Sequence, residues 1–169
     1  MSSEKLLNKP RLNKKMTITI TTATNKDKQQ LIDYLKHYKI KEFIQKRVEC
    51  YLTHNFTIVA KDDEKIAGML QWHVKEDPDD GLAEFEEVHV MEDYRGKGIG
   101  TKMVKYSVQA VKEYFKKLGF KPRKIFLFVG KDNQPGRALY EKQGFKYAAD
   151  VGNLFHDDEV ELFYVLNID

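Results

Sequence analysis

Three glycines spaced two apart, Gly96, Gly98 and Gly100, lie in the run Val88-His-Val-Met-Glu-Asp-Tyr-Arg-Gly-Lys-Gly-Ile-Gly-Thr101. A strand-like segment precedes them and a helical pattern follows. Glycine lets the backbone take positive φ and come close to a ligand. The first amides of a helix lack intrahelical acceptors, and the helix dipole adds positive potential there. Beside Arg95 and Lys97, such amides suit a phosphate or pyrophosphate. A P-loop is excluded, because its closing Gly-Lys-Ser/Thr is absent: Thr101 follows Gly100 directly and Lys102 comes after it. A dinucleotide fingerprint is excluded too, since position 101 is Thr and no acidic residue ends a following strand at the right distance.

The stretch closely resembles the phosphate-binding motif of the GNAT superfamily of N-acetyltransferases, Arg/Gln-x-x-Gly-x-Gly/Ala, here Arg95-Gly-Lys-Gly98-Ile-Gly100. A second stretch, Asn133-Gln-Pro-Gly-Arg-Ala138-Leu-Tyr140-Glu-Lys-Gln-Gly144-Phe145, is similar to the family's Asn-x-x-Ala-x-x-Leu-Tyr-Glu-Lys-x-Gly-Phe element. The two follow in the family's order. Two departures are modest: Glu92 stands where proline is usual, and Gly136 where a bulkier residue is common. The resemblance implies acetyl-CoA as co-substrate, no metal, and direct attack by a primary amine in a ternary complex. Main-chain groups of Val88, His89 and Val90 would pair with the pantetheine arm like an added strand. Amides of Arg95, Gly96, Lys97, Gly98, Ile99, Gly100 and Thr101 would bind the pyrophosphate. Asn133 would hydrogen-bond the arm, and Tyr140 would sit near the thioester sulfur. A catalytically silent acyl-CoA sensor is the alternative, and intact Asn133 and Tyr140 argue against it.

Such a transfer needs a neutral amine, although a free alkylamine has a pKa near ~10. It needs a donor to the oxyanion and a proton for the leaving thiolate. Tyr140 is the candidate acid; the other reading is a core tyrosine, since Leu139 and Tyr140 cannot both face inward. The Val90 amide becomes an oxyanion donor if neighbouring strands splay. Strict alternation puts Glu84, Glu86, Val88 and Val90 on one face, Glu87 and His89 on the other. The resemblance favours Glu84 as base, then Glu86; a solvated sheet face, or a base-free reaction through water, are the other readings. His89 is a base or, preferably, a structural histidine. The five histidines, at 37, 54, 73, 89 and 156, show no zinc-like spacing. Trp72 reads as core or as an acceptor-pocket wall. The acidic residues Glu76, Asp77, Asp79 and Asp80, with those of the next strand, read as a solvated hairpin end or as an attractor of cationic amines.

The elements that would hold these groups alternate in type. Strands are expected at 16–21, 56–61, 65–74, 82–91, 124–129, 145–149 and 159–166. Helical spacing of Leu31, Ile32, Leu35, Ile40, Phe43, Ile44, Val48, Tyr51 and Leu52 predicts one broken helix or two short ones. A long helix follows the glycines, with Ile99, Met103, Tyr106, Ala110, Val111, Tyr114 and Leu118 on its stripe and Gly119 as its stop. A short helix spans 135–143. The expectation is a single α/β domain over 16–169: a mixed, mostly antiparallel sheet of six to seven strands flanked by about four helices. Residues 124–129, apolar on both faces, read as a fully buried central strand.

The chain has 169 residues, 41% of them hydrophobic, enough for one sizeable core. Its formal charge of +3 is concentrated in residues 1–15, where Lys5, Lys9, Arg11, Lys14 and Lys15 face Glu4 alone, so a flexible basic tail is expected. The remainder is close to neutral, with no basic stripe for nucleic acid. No apolar run is long enough to span a bilayer, and no signal-peptide pattern opens the chain. With Cys50 the lone cysteine, a reduced cytoplasmic setting is expected. The resemblance makes a homodimer an expectation as well.

Overall fold

Alternating β-branched residues after Met16 predict a first strand, and a computed structural model, which describes residues 16–37 and 43–168, places β1 at Ile18–Thr22. Two short helices follow, α1 (Lys28–Lys36) and α2 (Ile44–Thr53). Thr24 and Asp27 form a reciprocal capping box on the short 3-10 turn Asn25–Asp27 that leads into α1. The basic tail and Ile40 lie outside the described residues. Phe43 does not join the helical stripe; it sits before α2 at φ 60° and is exposed.

β2 (Phe56–Asp62) and β3 (Lys65–Lys75) form the first hairpin, and β4 (Leu82–Val90) follows the acidic turn. The glycine loop then leads into α3 (Ile99–Leu118), which Gly119 ends at φ 82°. β5 (Lys124–Gly130), α4 (Gln134–Lys142), β6 (Lys146–Gly152) and β7 (Val160–Asn167) complete the chain. The seven strands are ordered β1-β2-β3-β4-β5-β7-β6. Every neighbouring pair is antiparallel except β4 and β5. That one parallel pair is the crossover that α3 makes possible.

One face of the sheet carries α3 and α4. Ile99, Met103, Val104, Ser107, Val111 and Phe115 are buried, packing against Ala83, Phe85, Ile125 and Leu127. The buried stripe of α3 is thus rotated from the expected one, and Tyr106 and Leu118 are exposed. Each large apolar side chain so buried stabilises the fold by about 1.5–3 kcal/mol. The other face carries α1 and α2 over Val59, Ile66 and Met69. Among the described residues no helix covers the rest of that face, where Phe126, Phe128 and Phe163 stack at the surface. β5 is therefore buried on one side and only half-buried on the other, which corrects the expectation of a fully buried strand. Its apolar outer face is aromatic rather than packed.

Candidate active site

β4 and β5 pair from Leu82–Lys124 to Phe85–Leu127, and no further. Beyond that pair β4 runs on to Val90 and β5 to Gly130, so the two strands part and leave β4 main chain facing a gap. This is the splay that sequence patterning does not encode. On its α3 side lies a cavity of about 490 Å³, lined by Val88, His89, Val90, Tyr94, the glycine loop and the start of α4.

The loop's conformation follows from its glycines. Gly96 and Gly98 take φ of 72° and 74°, and an added Cβ at either would meet open space. Gly98 is the N-cap of α3, whose first turn has no acidic residue, so its free amides and dipole are left for an anion. Gly100 is glycine for another reason: a Cβ there would stand 3.2 Å from the Leu139 side chain. The Arg95 Nε donates to the Val90 carbonyl at 3.0 Å, and the Lys97 ammonium donates to the Asp93 carbonyl at 2.7 Å. The loop thereby ties itself to the end of β4. Of the residues expected to hold the cofactor, Val88, His89, Val90, Arg95, Gly96, Gly98, Ile99, Gly100, Thr101 and Asn133 all line this cavity; Lys97 and Tyr140 do not. Tyr94, Pro135, Gly136 and Leu139 join the lining without having been anticipated.

Asn133 caps α4, its Oδ1 accepting the Gly136 amide at 3.0 Å. A Cβ on Gly136 would lie 2.8–3.0 Å from the Asn133 side-chain amide. The departure at Gly136 is therefore what lets the cap fold back over the helix start. Tyr140 is 7% exposed and packs edge-on against Phe145 at 5.7 Å between centroids. Burial alone raises its phenol pKa, so it stays protonated at any working pH. Leu139 turns to the cavity and Tyr140 to the core.

Expected alternation along β4 fails at Glu87, which adopts φ 45°. Here β4 has one residue more than β3: Met69 pairs with His89 and Gln71 with Glu86, leaving Glu87 and Val88 opposite Leu70. The bulge exchanges the faces. Val88 and Val90 pack with Ala83 and Phe85 toward α3, whereas His89 joins Glu84 and Glu86 on the opposite face. There His89 Nδ1 meets the Tyr34 hydroxyl at 2.5 Å, and its carbonyl accepts from the same hydroxyl at 3.2 Å. This fits the structural reading of His89. A left-handed non-glycine residue costs of order 1–3 kcal/mol, and such outliers gather at functional sites.

A second cavity, about 500 Å³, opens on that opposite face. Glu84, Glu86, Glu87, Phe128, Phe155 and His156 surround it. Burial pushes the Glu84 carboxyl above the usual range; of its neighbours, His73 and Lys75 oppose the rise and Glu86 adds to it. Asn55 donates to Glu86 at 3.2 Å. His73, scattered from the others in sequence, lies opposite Glu84 in the β3–β4 register. Among the described residues its ligand atoms, with those of Glu84 and Glu86, gather within 4.8 Å of one another. The signal was available by counting outward from the turn, because Lys75 pairs with Leu82 and hence His73 with Glu84. Trp72 is buried in the core, where it stacks on Phe56 at 4.1 Å. A larger hollow, about 830 Å³, lies between α1 and α2; among the described residues its lining gathers no comparable set of groups.

Comparison with known proteins agrees with this geometry. The family model described as "Acetyltransferase (GNAT) family" matches residues 22–145. The chain is 33% identical over 79 residues to the mycothiol acetyltransferase of Corynebacterium aurimucosum, a match covering 47% of this chain and 23% of that protein; it thus spans about a quarter of that relative. The fold superposes on an acetyltransferase of the GNAT family from Streptococcus pneumoniae with a TM-score of 0.71 at 17% identity, covering 90% of this chain and 100% of the other. An aminoglycoside 6'-N-acetyltransferase complexed with coenzyme A superposes with a TM-score of 0.70 at 16% identity, covering 89% and 97%. Glycine loop, splayed strands and family match converge: the chain belongs to the GNAT family of acetyltransferases.

Proposed function

We propose that the protein transfers the acetyl group of acetyl-CoA to a primary amine by direct attack within a ternary complex. The observation that carries this is the parting of β4 and β5 after Phe85–Leu127, with one cavity on each face of the gap. The coenzyme would enter from the α3 side. Its pyrophosphate would rest on the amides from Arg95 to Thr101, and its pantetheine arm would lie along Val88–Val90 as an added strand. A relative of the same fold solved with coenzyme A supports this choice of ligand. The thioester would reach the apex of the gap.

The amine would arrive from the opposite cavity, between Glu84, Glu86 and Phe128. Glu84 takes its proton, an outward strand amide such as that of Val90 steadies the oxyanion, and Tyr140 protonates the departing thiolate. The roles of Glu84 and Val90 are proposed from position and chemistry; that of Tyr140, whose side chain faces the core, is proposed from its protonated phenol and the family resemblance alone. The curated relative and the solved neighbour act on unlike acceptors, so neither names the acceptor of this chain.

The test is release of free coenzyme A thiol from acetyl-CoA against a panel of primary amines. Amine-dependent release above the rate of hydrolysis is the expected result. Saturable acetyl-CoA binding with no amine-dependent release would instead favour a silent acyl-CoA sensor.

A further inference from the structure

Conversion of an ammonium and a thioester to an amide and a thiol releases one proton per turnover. If the acetyl-transfer reading above holds, that proton must leave a half-buried site. His73, Glu84 and Glu86 are arranged to take it. The His73 Nε2 is 3.5 Å from Glu84 Oε2, and its Nδ1 is 3.8 Å from Glu86 Oε1. Side-chain exposure rises along the series, from 13% for Glu84 through 26% for His73 to 39% for Glu86. Asn55 holds the other Glu86 oxygen, leaving Oε1 for the imidazole.

Proton counting defines the state that this cluster favours. A neutral imidazole has one N–H and one acceptor nitrogen, so it can donate to only one of two carboxylates. Among the described residues His73 Nδ1 is buried with no hydrogen-bond partner. Both ring nitrogens are satisfied when the cluster holds one proton more, as Glu84–H facing Nε2 and Nδ1–H facing Glu86. Lys75, 3.8 Å from Glu84, adds a positive charge that opposes a divalent cation there. Other titratable groups are near: Glu87 and His156 beside Glu84, His54 and Tyr114 beside His73, and Tyr51, whose phenol feels the charge of Glu86.

The cluster also separates two cavities. Glu84 lines the one assigned to the amine, and His73 lines another of about 530 Å³ with Thr53, His54 and Tyr114; Glu86 lines both. We propose that His73 is a positioning residue that carries the acceptor's proton from Glu84 to Glu86, out of the amine cavity and into the neighbouring one. One ammonium N–H breaks, its electron pair stays on nitrogen, and Glu84 gains the proton; the second N–H proton, lost as the tetrahedral adduct collapses, replaces the one that Tyr140 gives the thiolate. Glu84 passes a proton to Nε2 while Nδ1–H passes one to Glu86, which releases it to water. The ring is left in its other tautomer and resets by exchange at the second cavity.

Two measurements test this. With the full chain and an amine that turns over, His73→Ala should lower kcat about 100-fold with KM for acetyl-CoA unchanged. The acidic limb of its pH–rate profile should shift, and added imidazole should restore activity about tenfold or more. A structural role would give reduced kcat with an unaltered profile and no rescue, and that result overturns the proposal, as does unchanged kcat. His73→Asn serves if the alanine variant misfolds. The second measurement needs no turnover: NMR titration of the His73 ring in wild type, Glu84→Gln and Glu86→Gln. Both substitutions should shift its titration. A ring titration indifferent to Glu84→Gln overturns the relay, even if no amine is ever acetylated, which would instead refute the acetyl-transfer reading.

Discussion

Tyr140 and Glu84, the acid and base of the proposed transfer, differ in what burial does for them. Tyr140 is kept neutral by its apolar setting, which in the proposed role would preserve its proton for the departing thiolate. Tyr140→Phe keeps the core volume, so melting temperature should change little while kcat falls about 100-fold; unchanged turnover would leave Tyr140 as a core residue only. Glu84 faces the opposite demand, since a base must be ionised. Burial raises its pKa in the fold, so activity should rise with pH along a limb above the ordinary carboxylate value of ~4.3. Glu84→Gln should remove that limb, and an identical profile would move the base to Glu86 or to water. The linkage sign is also defined. A folded pKa above the unfolded one means that the folded chain binds this proton more tightly, so the contribution of Glu84 to stability is lost as pH rises through the raised value. Thermal denaturation of Glu84→Gln near neutral pH should give a melting temperature at or above that of wild type, and a clear drop would contradict the assigned desolvation.

At the scale of elements, the glycine loop was legible because each glycine answers a backbone need that no other residue meets cheaply. Positive φ at Gly98 makes any side chain there cost about 1–2 kcal/mol, and a carboxylate adds repulsion to a phosphate. Gly98→Glu should weaken acetyl-CoA binding more than tenfold by calorimetry; a smaller loss would count against the loop as pyrophosphate site. Gly136→Ala tests the other glycine: the new Cβ meets the Asn133 cap, so stability should fall by about 0.5–2 kcal/mol in denaturant unfolding. Strand order along the chain, the stop at Gly119 and the short helix before Gly144 were legible for similar reasons of local chemistry. The bulge was missed because Glu87 is no glycine; its mark is a change of phase, the apolar positions passing from Ala83 and Phe85 to Val88 and Val90 across Glu86-Glu87, which strict alternation overlooked. That single residue moved Val88 and Val90 to the face that carries α3 and His89 to the Tyr34 face. The buried stripe of α3 was misjudged because Tyr106 and Leu118 are apolar yet exposed, and period alone cannot say which apolar edge meets the sheet.

At the scale of the whole molecule, two long-range features make the site: the parting of β4 from β5, and the gathering of His73 with two carboxylates from the next strand. Neither depends on adjacency in sequence. The first arises where a parallel pair ends early, and the second follows from hairpin register. The sheet leaves an aromatic surface of Phe126, Phe128 and Phe163 beside the amine cavity, which corrects the fully buried strand and marks the side from which an acceptor would approach. Among the described residues no helix is long and apolar enough to cross a membrane. The central claim is that the glycine loop and splayed strand hold acetyl-CoA. Calorimetric titration of the chain with acetyl-CoA, with ATP and NAD as controls, tests it most directly. Saturable binding of acetyl-CoA, with neither control bound, is the predicted result; a bound control nucleotide and no acetyl-CoA binding would contradict it.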